Sequence, residues 1–497
     1  MAAAHPQSPA ARRPSWLLDR IDPAHRWAIM VFALFVLLFG TWVVGMPKFA
    51  APDEPAHAVK AYANAHGDWI GEPIPGSSPL NRSMLAPIDL AAGQTCFVFH
   101  PEITAGCEAP LTDPSLYPIE STASTYPPAY YVVVGLAARV LGQAHSLHTY
   151  RMLSALLACA GLTAAAWTMS KLGRRRPVLL LLGLTPMAVF MCSAVNPTAI
   201  EISMMLLVWA STAVWLSDDR PPTLRGWLSV SSISAVVVLV RPVTFPFIVV
   251  AVASYLVLER RPLADDRRSL ARMAGWASIP LAVAIVASFA WSRYSGVGLS
   301  DDKFVVPGST IDHARTALGH TGEILEQSVG VLGWLDTRLP FPALALTLAS
   351  IGGVVVAVLL LGDRRLRIVM SGLLAVWVLY PVIYTTAART PLNWQGRYNL
   401  PILGGIVLCA AVLLGGGLDE RTSSRLLGFV GVSFVIAEVL AFHQALRRFM
   451  VGSQGDILLR HPSWHPGPSA WLLIVLNALT ASALLVVLQR SPRRAGG

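Results

Sequence analysis

Apolar stretches of about 17 to 25 residues, each long enough to cross a hydrocarbon core of roughly 30 Å, recur from end to end of this chain. In hydrocarbon every backbone N–H and C=O must be satisfied within the chain, so such stretches fold as helices. The fold class that follows is all-α, a polytopic transmembrane helical bundle. Composition agrees: 13% of the 497 residues are charged, where a soluble domain carries roughly a quarter. The net charge of +10 would suit nucleic acid in a soluble protein. In a membrane protein it reflects Arg and Lys retained on cytoplasmic loops, and no nucleic-acid partner is expected.

Spans are expected to begin near residues 27, 149, 177, 199, 226, 243, 273, 340, 368, 399, 425 and 470, about twelve in all. The first, "WAIMVFALFVLLFGTWVVG", has full spanning length and no small-residue cleavage site after it, so it reads as a retained span rather than a signal peptide. The connectors "KLGRRRP", "DDRPPTLRG", "ERRPLADDRRSLAR", "GDRRLR" and "DERTSSR" then fall on one side, together with both termini. The positive-inside rule makes that side of the plasma membrane cytoplasmic. The expected division is a cytoplasmic tail at 1–26, a transmembrane domain at 27–488 and a second cytoplasmic tail at 489–497. Large extracytoplasmic loops cover 47–147 and 292–339. The apolar "YPPAYYVVVGLAARVLG" (126–142) would invert every later connector if it spanned, so it is expected to be a short helix at the outer interface. Cys96 and Cys107 share the first outer loop and can pair if that loop meets an oxidising exterior.

Nearly all the unusual polar groups gather on those outer loops. In "KFAAPDEPAHAVK", Pro55 suits a first helical turn and Asp53 can cap it. A helix from there places Asp53, His57, Lys60 and Asn64 on one face. This is either a solvated rim or a working site, because adjacent carboxylates beside a bilayer are costly unless paired or used. The second loop ends in "GWLDTRLP", where Trp334, Asp336 and Arg338 are either interfacial anchors or site residues. "AARTPLNWQGRYNLP" carries Arg389, Gln395, Arg397 and Tyr398 without an acid. Two unpartnered guanidiniums suit a phosphate, or snorkel to lipid headgroups. Arg241 in "VLVRPVTFP" is another candidate anion contact, and Glu201 is a weaker, second acid. No Cys/His spacing makes a metal site.

Five motifs in order, "PDEPAH", "YPPAYY", "TPMAVFMCSAVNP", "GWLDTRLP" and "QGRYNLP", resemble the membrane proteins grouped as domain of unknown function 2142, over roughly residues 50–402. That family resembles the C-type (GT-C) integral-membrane glycosyltransferases. The resemblance implies a GT-C-like fold with juxtamembrane helices in the first outer loop. It also implies a polyprenyl-phosphate-linked sugar as donor, and an acidic residue or pair after the first span, which Asp53-Glu54 matches. Where relatives carry a second acid, this sequence has Asn196-Pro197, with Glu201 nearby. A divalent metal is therefore left open, and no other cofactor is required.

The function expected is an inverting glycosyltransferase acting at the outer face on a cell-envelope glycan, lipid or protein. Asp53, with Glu54 second, would be the general base. Arg397, with Arg389 or Arg241, would bind the donor phosphate, helped by Lys60 or His57. Two alternatives stand beside it. A flippase or exporter of lipid-linked sugars would show paired repeats and polar groups near the bilayer midplane. A polysaccharide polymerase or ligase would place its site on the late loop 443–469.

Overall fold

The computed structural model describes residues 22–492 except 79, 91–94, 109–114, 262–266, 297–306, 389–393 and 417. Helix α1 (Pro23–Gly45) begins at Asp22, whose carboxylate accepts the Ala24 N–H at 2.8 Å with Pro23 in the first turn. A short juxtamembrane layer follows. It comprises α2 (Glu54–Ala65), the strands β1 (Glu72–Pro73), β2 (Arg82–Pro87) and β3 (Leu116–Ser121), and α3 (Ala129–Val140). The sheet is antiparallel in the order β1-β2-β3, with Arg82 opposite Ser121 and Pro87 opposite Leu116. The short helix expected within 126–142 is α3.

The bundle continues with α4 (Leu147–Ser170), α5 (Pro186–Cys192), α6 (Thr198–Ser217), α7 (Leu224–Val240), α8 (Phe245–Leu258) and α9 (Arg267–Ser295). The second large loop folds as α10 (Thr310–Gly319) and α11 (Thr321–Gly330), with a small hairpin of β4 (Val331–Leu332) and β5 (Thr337–Arg338). Then come α12 (Phe341–Leu361), α13 (Arg364–Ala388), α14 (Leu403–Gly416), α15 (Glu420–Val451) and α16 (Ala470–Gln489).

Among the described residues nine helices are long and apolar enough to cross a membrane, against the about twelve spans expected. Helices α7 and α8 are shorter apolar helices, and the span expected from 177 is not one helix. It runs as a 3-10 segment, Arg176–Leu182, breaks at Gly183, and resumes as α5 after Thr185 accepts the Ala188 N–H. Pro177 and Pro186 each occupy a first turn, which interrupts the i→i−4 ladder. A Cβ at Gly183 would sit 2.6 Å from Leu206 Cδ2, so this break packs directly on α6. Residues 177–203 are buried throughout. Irregular backbone at membrane depth is tolerated where protein encloses it.

Two loops meet over the end of α15. The buried Arg448 donates to the carbonyls of Phe97 (2.6 Å), His100 (3.0 Å) and Ile103 (2.5 Å) and to Asp336 Oδ2 (3.0 Å). The three carbonyls lie inside the loop closed by the Cys96–Cys107 disulfide, whose Cα atoms are 6.2 Å apart. One arginine thus fastens the first and second large loops to the bundle.

Candidate active site

The turn between α1 and α2 fixes the acidic pair in two directions. Asp53 occupies the N-cap position of α2 with a left-handed backbone (φ 62°), yet its side chain makes no capping bond. Asp is one of the few non-glycine residues that adopt this region readily, and the turn aims its side chain away from the helix N-terminus. The freed carboxylate reaches Arg397, whose Nη2 lies 2.5 Å from Asp53 Oδ2. Glu54, one residue on, points into the bundle. Arg151 of α4 grips it with Nε on Oε1 at 2.7 Å and Nη2 on Oε2 at 2.6 Å, and the Val195 N–H donates to Oε1 at 3.0 Å. Arg151 also donates to the carbonyls of Met46 and Pro47. Glu54 is fully buried and bolts the end of α1 to α4 and to the turn before α6, while the Asp53 side chain remains 38% exposed.

The polar face of α2 is buried rather than solvated. His57 Nδ1 is 2.8 Å from the Tyr131 hydroxyl, with the two rings stacked. Burial holds His57 down to about 3, with Asp53 opposing that shift, so the imidazole is neutral near pH 7. Lys60 Nζ donates to the Ser124 carbonyl and, at 3.4 Å, to that of Trp69, and it lies over the Tyr131 and Trp291 rings. Burial pulls its ammonium down to about 7. The Asn64 amide is buried with no hydrogen-bond partner among the described residues.

The cationic half comes from two distant turns. Arg397 lies in the 3-10 segment Gly396–Ile402, and a Cβ at Gly396 would sit 2.4 Å from the Ile324 carbonyl of α11. Only glycine permits that approach, and the Gly396 N–H donates to Gln327 Oε1 at 2.8 Å. Arg241 ends α7 in an extended conformation because Pro242 follows it. Its Nη1 donates to Thr198 Oγ1 at 2.5 Å, and its Nε is 3.6 Å from Glu201 Oε2. Thr244 donates its hydroxyl to the other Glu201 oxygen.

Tyr398 stands between the two guanidiniums, with Arg241 4.5 Å and Arg397 5.2 Å from its ring centre. One electron-rich ring shared by two cations offsets part of their repulsion. The sequence Asp53–Arg397–Tyr398–Arg241–Glu201 is a chain of two carboxylates and two guanidiniums about one aromatic ring. Arg397 is 1% exposed, and its Nε and Nη1 have no hydrogen-bond partner among the described residues. Burial opposes ionisation of Asp53, but the charge and hydrogen bond of Arg397 outweigh it and hold the carboxyl below its usual range. Burial, aided by Tyr398, pushes the neighbouring Tyr126 phenol up to about 12.

Other expected residues divide. Trp334 Nε1 donates to the Phe49 carbonyl at 2.9 Å, placing it under the Asp53 turn. Gln395 abuts the cluster in sequence, with a buried Oε1 lacking a partner among the described residues. Asp336 serves the Arg448 junction, and Arg338 is exposed, 3.4 Å from Glu326. Arg389 lies outside the described residues. Among the described residues no three His, Cys, Asp or Glu side chains converge as metal ligands. Sequence reasoning missed Arg151, Thr198 and Thr244; Arg151, an arginine in "HTYRMLSALL", carried the signal of any charge inside an apolar segment.

No curated protein matches the chain. Among solved structures it is similar to ArnT from Cupriavidus metallidurans, in the apo state and bound to undecaprenyl phosphate. The identity is 13% and the TM-score 0.44, over 95% of this chain and 77% of that one. It is also similar to the Archaeoglobus fulgidus oligosaccharyltransferase tethered with an acceptor peptide, at 11% identity and a TM-score of 0.34, over 86% of this chain and 56% of that one. The family model described as "Predicted membrane protein (DUF2142)" matches residues 35–406, and this membrane protein belongs to that family.

Proposed function

We propose that the chain is a glycosyltransferase that moves a sugar from a polyprenyl-phosphate donor to a cell-envelope acceptor, with Asp53 as general base. The observation that carries this reading is Arg397: a buried guanidinium with two N–H positions unpartnered among the described residues, beside a carboxylate still open to approach. A phosphate satisfies such donors in bidentate fashion.

Donor phosphate binds Arg397 and Arg241 on either side of Tyr398. The acceptor oxygen attacks the anomeric carbon while Asp53 takes its proton. The bond to phosphate breaks with the electron pair on oxygen, so the polyprenyl phosphate leaves with one more negative charge and the sugar inverts. The two guanidiniums, already oriented, stabilise that charge. Glu54, engaged by Arg151, positions the turn and takes no proton. The cluster sits on the extracytoplasmic side, with both termini cytoplasmic, and Cys96–Cys107 is the kind of bond an oxidising exterior preserves.

The test is incubation of the purified protein with a panel of polyprenyl-phosphate sugars carrying a labelled sugar. Stabilisation by at least one donor and its hydrolysis or transfer are expected. Binding to none would overturn the reading.

A further inference from the structure

We propose that the Asp53–Arg397 ion pair is a donor-operated switch, in which the donor phosphate displaces Asp53 from Arg397 and so makes Asp53 a base. The proposal rests on the glycosyl-transfer reading and adds an order to it: donor first, acceptor chemistry second.

The two partners are held very differently. Arg397 is 1% exposed on a segment whose glycine is jammed against α11, so the guanidinium is the fixed member. Asp53 is 38% exposed, makes no cap bond and sits on a left-handed turn, so its side chain is the member able to leave. In the resting protein Nη2 donates to Asp53 and, at 3.3 Å, to the Tyr398 hydroxyl, while Nε and Nη1 of the same guanidinium lack partners among the described residues. A phosphate with two oxygens aimed at this group satisfies the orphaned donors and competes directly for the occupied one. Arg241, pinned by Thr198 and Glu201, offers a second cation across the Tyr398 ring, which a single carboxylate does not exploit.

The chemical consequence follows from what a guanidinium does to a carboxylate. While Arg397 donates to it, Asp53 has little affinity for a proton. Once the phosphate takes that donor, the proton affinity of Asp53 rises, in a site already holding the donor. It then accepts the acceptor's hydroxyl proton as the new C–O bond forms and the old one breaks. When the polyprenyl phosphate leaves, Asp53 returns to Arg397 and releases its proton to solvent, restoring the resting pair. Acceptor hydroxyls are thereby activated only when a sugar is in place to receive them.

If Asp53 competes with phosphate for Arg397, removing its charge should tighten phosphate binding even as turnover is lost. Asp53→Asn keeps size, and Asn tolerates the left-handed conformation. The probe is farnesyl phosphate, titrated against the full chain in detergent, with inorganic phosphate and farnesol as parallel arms. D53N is expected to bind farnesyl phosphate about tenfold tighter than the wild type, the scale of one charge-assisted hydrogen bond. Inorganic phosphate should show the same gain at weaker affinity, and farnesol none. In an Arg397→Gln background the gain should fall below about twofold, because the contested donor is gone.

Equal or weaker binding by D53N overturns the switch while leaving the donor reading intact. A gain that persists undiminished with R397Q overturns it too, since that reports only the general field of the carboxylate. A gain with farnesol would place the effect on the lipid tail and also sink the proposal. Failure of every variant to bind either phosphate would overturn both the switch and the donor reading.

Discussion

Arg151 and Glu54, 97 positions apart, form a two-pronged ion pair at 2.7 and 2.6 Å with neither side chain more than 2% exposed. The pair separates the two adjacent acids. It commits Glu54 to holding the turn and leaves Asp53 facing the cationic cluster.

Removing one partner of a buried pair strands the other charge, at a cost of about 3–5 kcal/mol. Glu54→Ala should therefore lower thermal stability in detergent severely, or prevent accumulation of folded protein. Replacing both members, as in E54L/R151M, should recover part of that loss. Asp53→Asn should cost less than Glu54→Ala, because Asp53 is partly exposed and the new amide oxygen still accepts a hydrogen bond from Arg397. Melting curves of the variants check the ranking, and an E54A protein as stable as D53N would contradict it.

The Cys96–Cys107 bond closes the loop that presents three carbonyls to Arg448. Opening a loop of this length should remove about 2–3 kcal/mol from the junction. Reductant is expected to lower the melting temperature of the wild type and leave a C96S/C107S variant unchanged. Arg448→Lys should weaken the junction as well, because a single ammonium cannot replace a fork reaching four oxygens. Proteolysis of the first large loop gives an independent readout.

Lys60 sets a pH dependence. Burial lowers its ammonium to about 7 from the usual 10.5. Between these values the unfolded chain holds the proton and the folded chain has lost it. Stability from this group therefore rises with pH across that window and is flat below it. Lys60→Met should remove the rise between about pH 7 and 9 without lowering stability at pH 7. Urea midpoints at several pH values measure it, and an unchanged slope in the variant would show that another group is responsible.

Legibility in the sequence tracked distance along the chain. The first span, α9, α12, α13, α15 and α16 are readable because hydrophobic length alone decides them, whereas α3 is readable only through the charge of the later connectors. The segment from 177 misleads: its apolarity is that of an enclosed core, while Pro177, Gly183 and Pro186 break the helix. Asp53 and Arg397 are visible as motif residues, yet their mutual contact spans 344 positions and no local pattern reports it. The difference between Asp53 and Glu54 is invisible for the same reason, since it depends on Arg151 arriving from α4. Arg448, within "QALRRFMV", reads as ordinary interfacial charge until the first loop is folded onto it.

The most direct test of the central claim is single-turnover transfer from a labelled polyprenyl-phosphate sugar by wild type and D53N at saturating donor. D53N is expected to bind donor at least as well as the wild type and to transfer sugar at least a hundredfold more slowly, the scale of lost general-base catalysis. Turnover by D53N close to the wild-type rate would contradict the assignment of Asp53 as the base.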